Sequence, residues 1–219
     1  MSKQMIDLLV DGVGETLYMT LVATALAYII GLPLGILVYV TDSKGICRNR
    51  VINTVVGFII NIVRSIPFLI LLVAILPFTR IVVGTTIGSS ATIVPLVIAA
   101  APFIARMVES SLKEVDGGVI EAAKAMGSSN FQIICKVLLP EAKPSLLVGG
   151  TIVIATILGY SAMAGFVGGG GLGAIAINYG YYRYQSDIML ITVALLVVLV
   201  QLFQEVGIRV VNKIDKRLN

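Results

Sequence analysis

Five stretches of this 219-residue chain are wholly or nearly free of Asp, Glu, Lys and Arg: 16–41, 51–79 with Arg64 alone, 81–105, 144–182 and 188–204. A bilayer's hydrocarbon core is about 30 Å thick and a helix rises about 1.5 Å per residue, so a span needs about 20 mostly apolar residues. The first four stretches each accommodate one span, and the last extends past Glu205 through Val206, Gly207 and Ile208. With 58% hydrophobic and 13% charged residues, a water-soluble fold would lack the polar surface to cover its core. The mean hydropathy of +1.00 points the same way.

Window 144–182 is long enough to raise the question of two spans. Its middle, Gly165 to Gly173, holds six glycines in nine positions, and each costs about 1 kcal/mol relative to Ala inside a helix. Leu172 to Tyr182 is then too short to cross. The expectation is an all-α polytopic membrane protein with five transmembrane helices in one domain, 1–219. The spans fall at about 16–41, 54–78, 87–109, 144–165 and 187–208, with a cytoplasmic loop at about 113–142.

Lys and Arg stay on the cytoplasmic side of spans. One face collects Lys44, Arg48, Arg50, Lys113, Lys124, Lys136, Lys143, Arg209, Lys213, Lys216 and Arg217; the other has Lys3, Arg80 and Arg183. This asymmetry predicts an outside N-terminus and a cytoplasmic C-terminus. Asp7, Asp11 and Glu15 interrupt the place of a signal peptide's apolar region, so the first span is expected to act as an uncleaved insertion signal. Met1 to Gly14 reads either as a short surface helix with Met5, Leu8 and Leu9 toward lipid or as an unstructured tail.

The chain has no His, and Cys47 and Cys135 lack CxxC spacing, which argues against a zinc site, a disulfide and a standard hydrolase centre. The basic balance fits cytoplasmic loops beside anionic lipid and not nucleic acid.

The loop between spans three and four is far longer than a simple helix connection requires. Asp116 is placed to cap a short helix through Glu121, Ala122, Ala123 and Met126 that stops at Gly127. Ser129 and Gln132 have capping-box spacing and start a second helix through Ile133 to Leu139. Pro140 is expected to end that helix and Pro144 to open the fourth span.

The stretch Glu121-Ala-Ala-Lys-Ala-Met-Gly127, followed after nine residues by Val137-Leu-Leu-Pro140, resembles the EAA loop of ATP-binding-cassette (ABC) importer permeases, with Val for Ile at 137 as the departure. Arg64-Ser-Ile-Pro-Phe68, Pro77-Phe-Thr-Arg80, Ala101 to Glu109, Gly159-Tyr-Ser-Ala-Met-Ala-Gly165 and Asn178-Tyr-Gly-Tyr181 look like the permease subunits of methionine importers. The resemblance implies a type I importer permease working as a homodimer. Two ABC ATPase subunits would use ATP and Mg, with no cofactor bound by this chain and no enzyme activity of its own. It also implies a soluble or lipid-anchored extracytoplasmic methionine-binding protein, a place in the bacterial cytoplasmic membrane, and transport of L- and D-methionine. Glu121, Ala122, Ala123, Gly127, Leu139 and Pro140 would form the contact with the ATPase, the small residues allowing close approach. Two alternatives stay open. One is import of another amino acid or a small osmolyte. The other is an ATP-independent channel or ion-coupled carrier, which would want acidic or His residues at midmembrane that spans one, four and five lack.

Arg64 lies inside a span, and Glu109 is its candidate partner in a structural ion pair near the inner mouth. Gly168 to Gly173 formally satisfies GxGxxG, but no strand precedes it, so it reads as a re-entrant turn of an outer gate. Tyr160, Ser161, Met163 and Gly165 beside it are candidates for the gate or path. Tyr179, Tyr181, Tyr182 and Tyr184 read as an interfacial belt or a contact for the binding protein.

Overall fold

The computed structural model describes residues 3–214, so Lys216 and Arg217 lie outside the described residues. The fold is all-α, with no strand among the described residues. Four helical segments are long and apolar enough to cross a bilayer, and a fifth crossing arises if a helix pair bent by 101° is counted as one span.

Helix α1 runs unbroken over Lys3–Thr41. At 1.5 Å per residue its 39 residues reach about 58 Å, well beyond the hydrocarbon core. Among the described residues, 3–14 are therefore neither a separate surface helix nor a loose tail. Burial explains the difference: Leu9 is buried in a cluster with Leu158, Leu172, Ile175 and Ile188, with Met5 and Leu8 packed against it. These contacts hold the first turns in line with the span.

Asn49 caps α2 (Arg50–Ser65), its side-chain oxygen accepting from the Ile52 amide at 3.1 Å. The proline ring at 67 disfavours helical backbone at the residue before it, and Ile66 sits at φ −82°, ψ 124°. The chain swings through 101° there into α3 (Phe68–Ala74), followed by α4 (Leu76–Val83).

The central element is α5 (Ser89–Lys113), with Leu96, Ile104, Val108 and Leu112 fully enclosed. Against it α1 presents Ala23, Ala27, Gly31 and Gly35, all buried and four residues apart. Small residues at that spacing let two helix backbones approach closely without clash. A Cβ at Gly31 would stand 2.6 Å from the Ala101 carbonyl oxygen, and one at Gly35 2.5 Å from that of Ala105.

After α6 (Gly117–Ala125) and α7 (Asn130–Ile133), a π-helical turn over Ile134–Leu138 leads directly into α8 (Leu139–Ala164). Pro140 thus does not end the helix, and Pro144 lies inside α8 instead of opening a span. The wide turn explains this. The Leu139 amide bonds back five residues to the Ile134 carbonyl, which loosens the coil just ahead of a ring that cannot donate.

A 3₁₀ turn at Gly165–Val167 and left-handed backbone at Gly168, Gly170 and Gly171 fold the chain back into α9 (Gly171–Ile175). A π turn (Ala176–Tyr181) follows, then α10 (Ser186–Ile214). The start of α9 is held by α1: Glu15 Oε2 accepts from the Gly171 amide at 2.6 Å, and Thr16 Oγ1 from the Leu172 amide at 2.9 Å. A carboxylate on helix-end amides is worth about 1–2 kcal/mol. Glu15→Ala is therefore expected to speed amide hydrogen exchange at Gly171 by roughly fivefold to thirtyfold, with little change in α5.

Candidate coupling surface and membrane path

The loop between α5 and α8 is a folded unit. Asp116 takes extended backbone, φ −60° and ψ 129°, and its Oδ1 accepts from the Gly118 amide at 2.6 Å, which fixes the start of α6. At the other end the Gly127 amide bonds to the Lys124 carbonyl at 2.9 Å and the Ser128 amide to that of Ala123 at 3.1 Å. This double closure needs left-handed backbone at Gly127, whose φ is 79°. Ser129 and Gln132 then form the capping box that starts α7.

Gly127 therefore serves to end the helix, and nothing lies within 4 Å of where its Cβ would be. A Cβ in left-handed backbone costs about 1 kcal/mol. Gly127→Ala should lower the helicity of this loop, read by hydrogen exchange, without changing the packing of the spans.

Ala123 is buried with Leu112, Ile133, Leu138 and Ala142, so it ties α6 to its own protein and does not offer a small face to a partner. Of the residues expected to meet the ATPase, Glu121, Ala122, Gly127 and Pro140 are exposed and Leu139 is half-buried. The strongest exposed features are ones the sequence reading passed over. Met126 is 79% exposed and Phe131 75%, and Val119 joins Ala122 and Met126 in a stripe along α6. A large aromatic set beside a capping box in a polar loop is the signal that could have marked them. Exposed side chains of this size on one capped unit make it the candidate contact surface.

Below this unit, α1, α2 and α5 are tied by charge. Glu109, almost fully buried, receives Arg106 Nη1 at 2.5 Å and Lys113 Nζ at 2.6 Å. Arg106 also donates to the Gly57 carbonyl and to Asn61 of α2, and Lys113 reaches Asp42 at 3.3 Å. Asp42 is held below the usual carboxylate range, first by the Ser43 amide and then also by Lys113. Its share of the tie is therefore present at neutral pH and is lost only as pH falls through that depressed value. The Arg64–Glu109 pair does not form. Cations one helical turn away on α5 occupy both Glu109 oxygens, while Arg64 is exposed on α2.

The four gate candidates separate into two pairs. Tyr160 is half-buried and stacks on Phe68 of α3, with ring centroids 4.4 Å apart and planes within 3°. Met163 is exposed nearby on α8. Ser161 is buried, its hydroxyl donating to the Leu158 carbonyl at 2.8 Å, and Gly165 packs on the backbone of Gly173 and Ala174. Tyr160 and Met163 can thus face a path, whereas Ser161 and Gly165 serve the protein's interior. At the far end Tyr181, Tyr182 and Tyr184 are exposed, and the Arg183 guanidinium lies 4.4 Å over the Tyr179 ring.

Apolar helices long enough to cross a bilayer, a bent helix pair and an exposed, doubly capped loop make this a polytopic membrane protein with one folded extramembrane unit. A family described as "binding-protein-dependent transport system inner membrane component" matches residues 16–218, and the chain belongs to it. A probable D-methionine transport system permease protein MetI from Vibrio cholerae is 50% identical over 96% of this chain and 94% of its own length. The D-methionine transport system permease protein MetI of Escherichia coli is 55% identical over 75% of this chain and 76% of its own. Among solved structures, a chain of the inward-facing MetNI methionine ABC transporter is 52% identical. It superposes with a TM-score of 0.97 over 99% of this chain and 100% of that one. An amino acid ABC transporter crystallised with histidines shares the fold, with a TM-score of 0.78 at 21% identity.

Proposed function

We propose that this chain is the permease subunit of an ABC importer for methionine, in both its L and D forms. The observation that carries the reading is the near-complete superposition, at 52% identity, on a chain of the MetNI methionine ABC transporter. In this reading two copies form the path, since five spans are too few to enclose one. The hydrocarbon core covers roughly 16–41, 54–78, 87–109, 144–165 and 187–208. The N-terminus is outside, and the C-terminus and α6 face the cytosol, as the placement of Lys and Arg favours.

Two separate ATPase subunits bind and hydrolyse ATP with Mg, and an extracytoplasmic binding protein, soluble or lipid-anchored, delivers the substrate. Each ATPase receives one α6–α7 unit, with Met126, Phe131, Val119 and Ala122 as the apolar contact and Glu121 at its edge. Because α7, the π turn and α8 are continuous, displacement of that unit is passed along α8 to Tyr160 and Met163. ATP-driven closure of the ATPase pair thereby shifts the permease between two packed states, open to either side in turn.

The test is reconstitution of the chain with its ATPase and binding protein in liposomes, followed by uptake of radiolabelled amino acids. ATP-dependent uptake of L-methionine, competed by unlabelled D-methionine and not by histidine or leucine, is expected. ATP-dependent uptake of another amino acid with none of methionine would overturn the substrate.

A further inference from the structure

The turn between α1 and α2 holds a feature that the transport reading does not use. A cavity of about 420 Å³ opens there, lined by Asp42, Ser43, Arg48, Arg50, Asn53 and Thr54. Its charges do not cancel. The Asp42 carboxylate is engaged by Lys113 at 3.3 Å and by the Ser43 amide and hydroxyl. Asn53 is committed to the Val38 carbonyl at 2.7 Å. Arg48 and Arg50 pair with no carboxylate among the described residues, and exposed Lys44 stands on the same turn. Two guanidinium groups with the Thr54 hydroxyl form a donor set suited to the oxygens of a phosphate.

The surroundings say what kind of phosphate. From Val51 onward α2 exposes Val55, Phe58, Ile59 and Ile62, a continuous apolar face beginning where the cations stand. A ligand here has its anion at the edge of the hydrocarbon layer and apolar substance running along α2.

We propose that this cavity binds the headgroup of an anionic phospholipid, with the phosphodiester between Arg48 and Arg50 and the acyl chains on the exposed face of α2. The site lies at the hinge of α1 and α2, next to the Asp42–Lys113 tie, so the lipid braces the inner ends of α1, α2 and α5. The inference is independent of the substrate and of which side of the membrane the turn faces.

The full chain, purified in detergent and mixed with phosphatidylglycerol or phosphatidylcholine, provides the test, with retained lipid counted by native mass spectrometry. Phosphatidylglycerol should be retained and phosphatidylcholine lost, and inorganic phosphate should not displace the bound lipid. Each basic side chain at a membrane surface contributes roughly fivefold to anionic lipid binding, so R48Q/R50Q is expected to weaken retention by roughly tenfold or more. T54W, which fills the cavity and leaves both cations in place, should cost the same retention, and R209Q on α10 should cost none. Undiminished phosphatidylglycerol binding in both R48Q/R50Q and T54W would overturn the site. Displacement by inorganic phosphate would show a free-anion site instead, and equal retention of phosphatidylcholine a site for acyl chains alone.

Discussion

Changing Met126 and Phe131 together to aspartate is expected to strip the ATPase subunits from the purified permease while the spans remain folded. Both side chains are almost wholly exposed on a unit that its own caps hold rigid, so their removal takes nothing from the protein's own core. Burying two side chains of this size in a partner contributes about 1.5–3 kcal/mol each, and a buried unpaired charge in each place adds a penalty. The combined loss is on the order of a hundredfold or more in affinity. Copurification of ATPase with tagged permease measures it directly, alongside size-exclusion behaviour of the permease alone. Glu121→Lys, an exposed charge at the edge, should cost only several-fold. Stoichiometric ATPase on the double variant would remove α6 and α7 from the interface.

Gly31→Leu is expected to have the largest effect on the fold itself. The position has no room for even one carbon: a Cβ would lie 2.6 Å from the Ala101 carbonyl and 2.7 Å from the Ile104 Cβ, and neither is a flexible side-chain end. The helices must separate, and the buried stripe from Ala23 to Gly35 loses contact with α5 along its length. Overpacking costs typically 1–3 kcal/mol, and a clash against helix backbone belongs at or above the top of that range, about 3 kcal/mol. The readout is the temperature at which detergent-solubilised permease loses its monodisperse peak. Gly14→Leu, on the same helix with nothing within 4 Å, is the matched control and should leave that temperature unchanged.

These two predictions draw on different amounts of the sequence. The all-α membrane fold was legible because burial in lipid forces long uncharged runs, a signal that needs no tertiary knowledge. Both ends of α6 and the start of α7 were legible for a related reason. Asp116, Gly127, Ser129 and Gln132 act on backbone groups two to four residues away, so their spacing carries the whole message. What failed depended on neighbours distant in the chain. Arg64 and Glu109 looked like partners because Arg64 interrupts an apolar window, yet Arg106 and Lys113 sit three and four residues from Glu109 and reach it first. Ala122 and Ala123 are adjacent and identical in sequence, and only the packing of Leu112, Ile133 and Leu138 decides which one is enclosed.

Pro140 is instructive in another way. A proline after an apolar helix reads as a stop, and the reading is sound for an ordinary α-helix. The π turn at Ile134–Leu138 relieves the conflict by taking a wider path just before the ring, and no residue type announces such a turn. The consequence is mechanical: the loop and α8 form one rod, so the loop is attached to the spans more rigidly than two helices joined at a proline break would be. Similarly, α1 runs unbroken through Glu15 because Leu9 and Gly12 pack on α9, an element whose position could not be read from its glycines.

The account rests on the α6–α7 unit lying in the cytosol, available to an ATPase. Cys135, exposed on the π turn, reports that directly when Cys47 is changed to Ser and the permease is expressed without its ATPase. A membrane-impermeant maleimide should label Cys135 in inside-out vesicles and leave it unlabelled in intact cells. Labelling in intact cells, with none in inside-out vesicles, would place the loop on the wrong side and contradict the coupling role assigned to it.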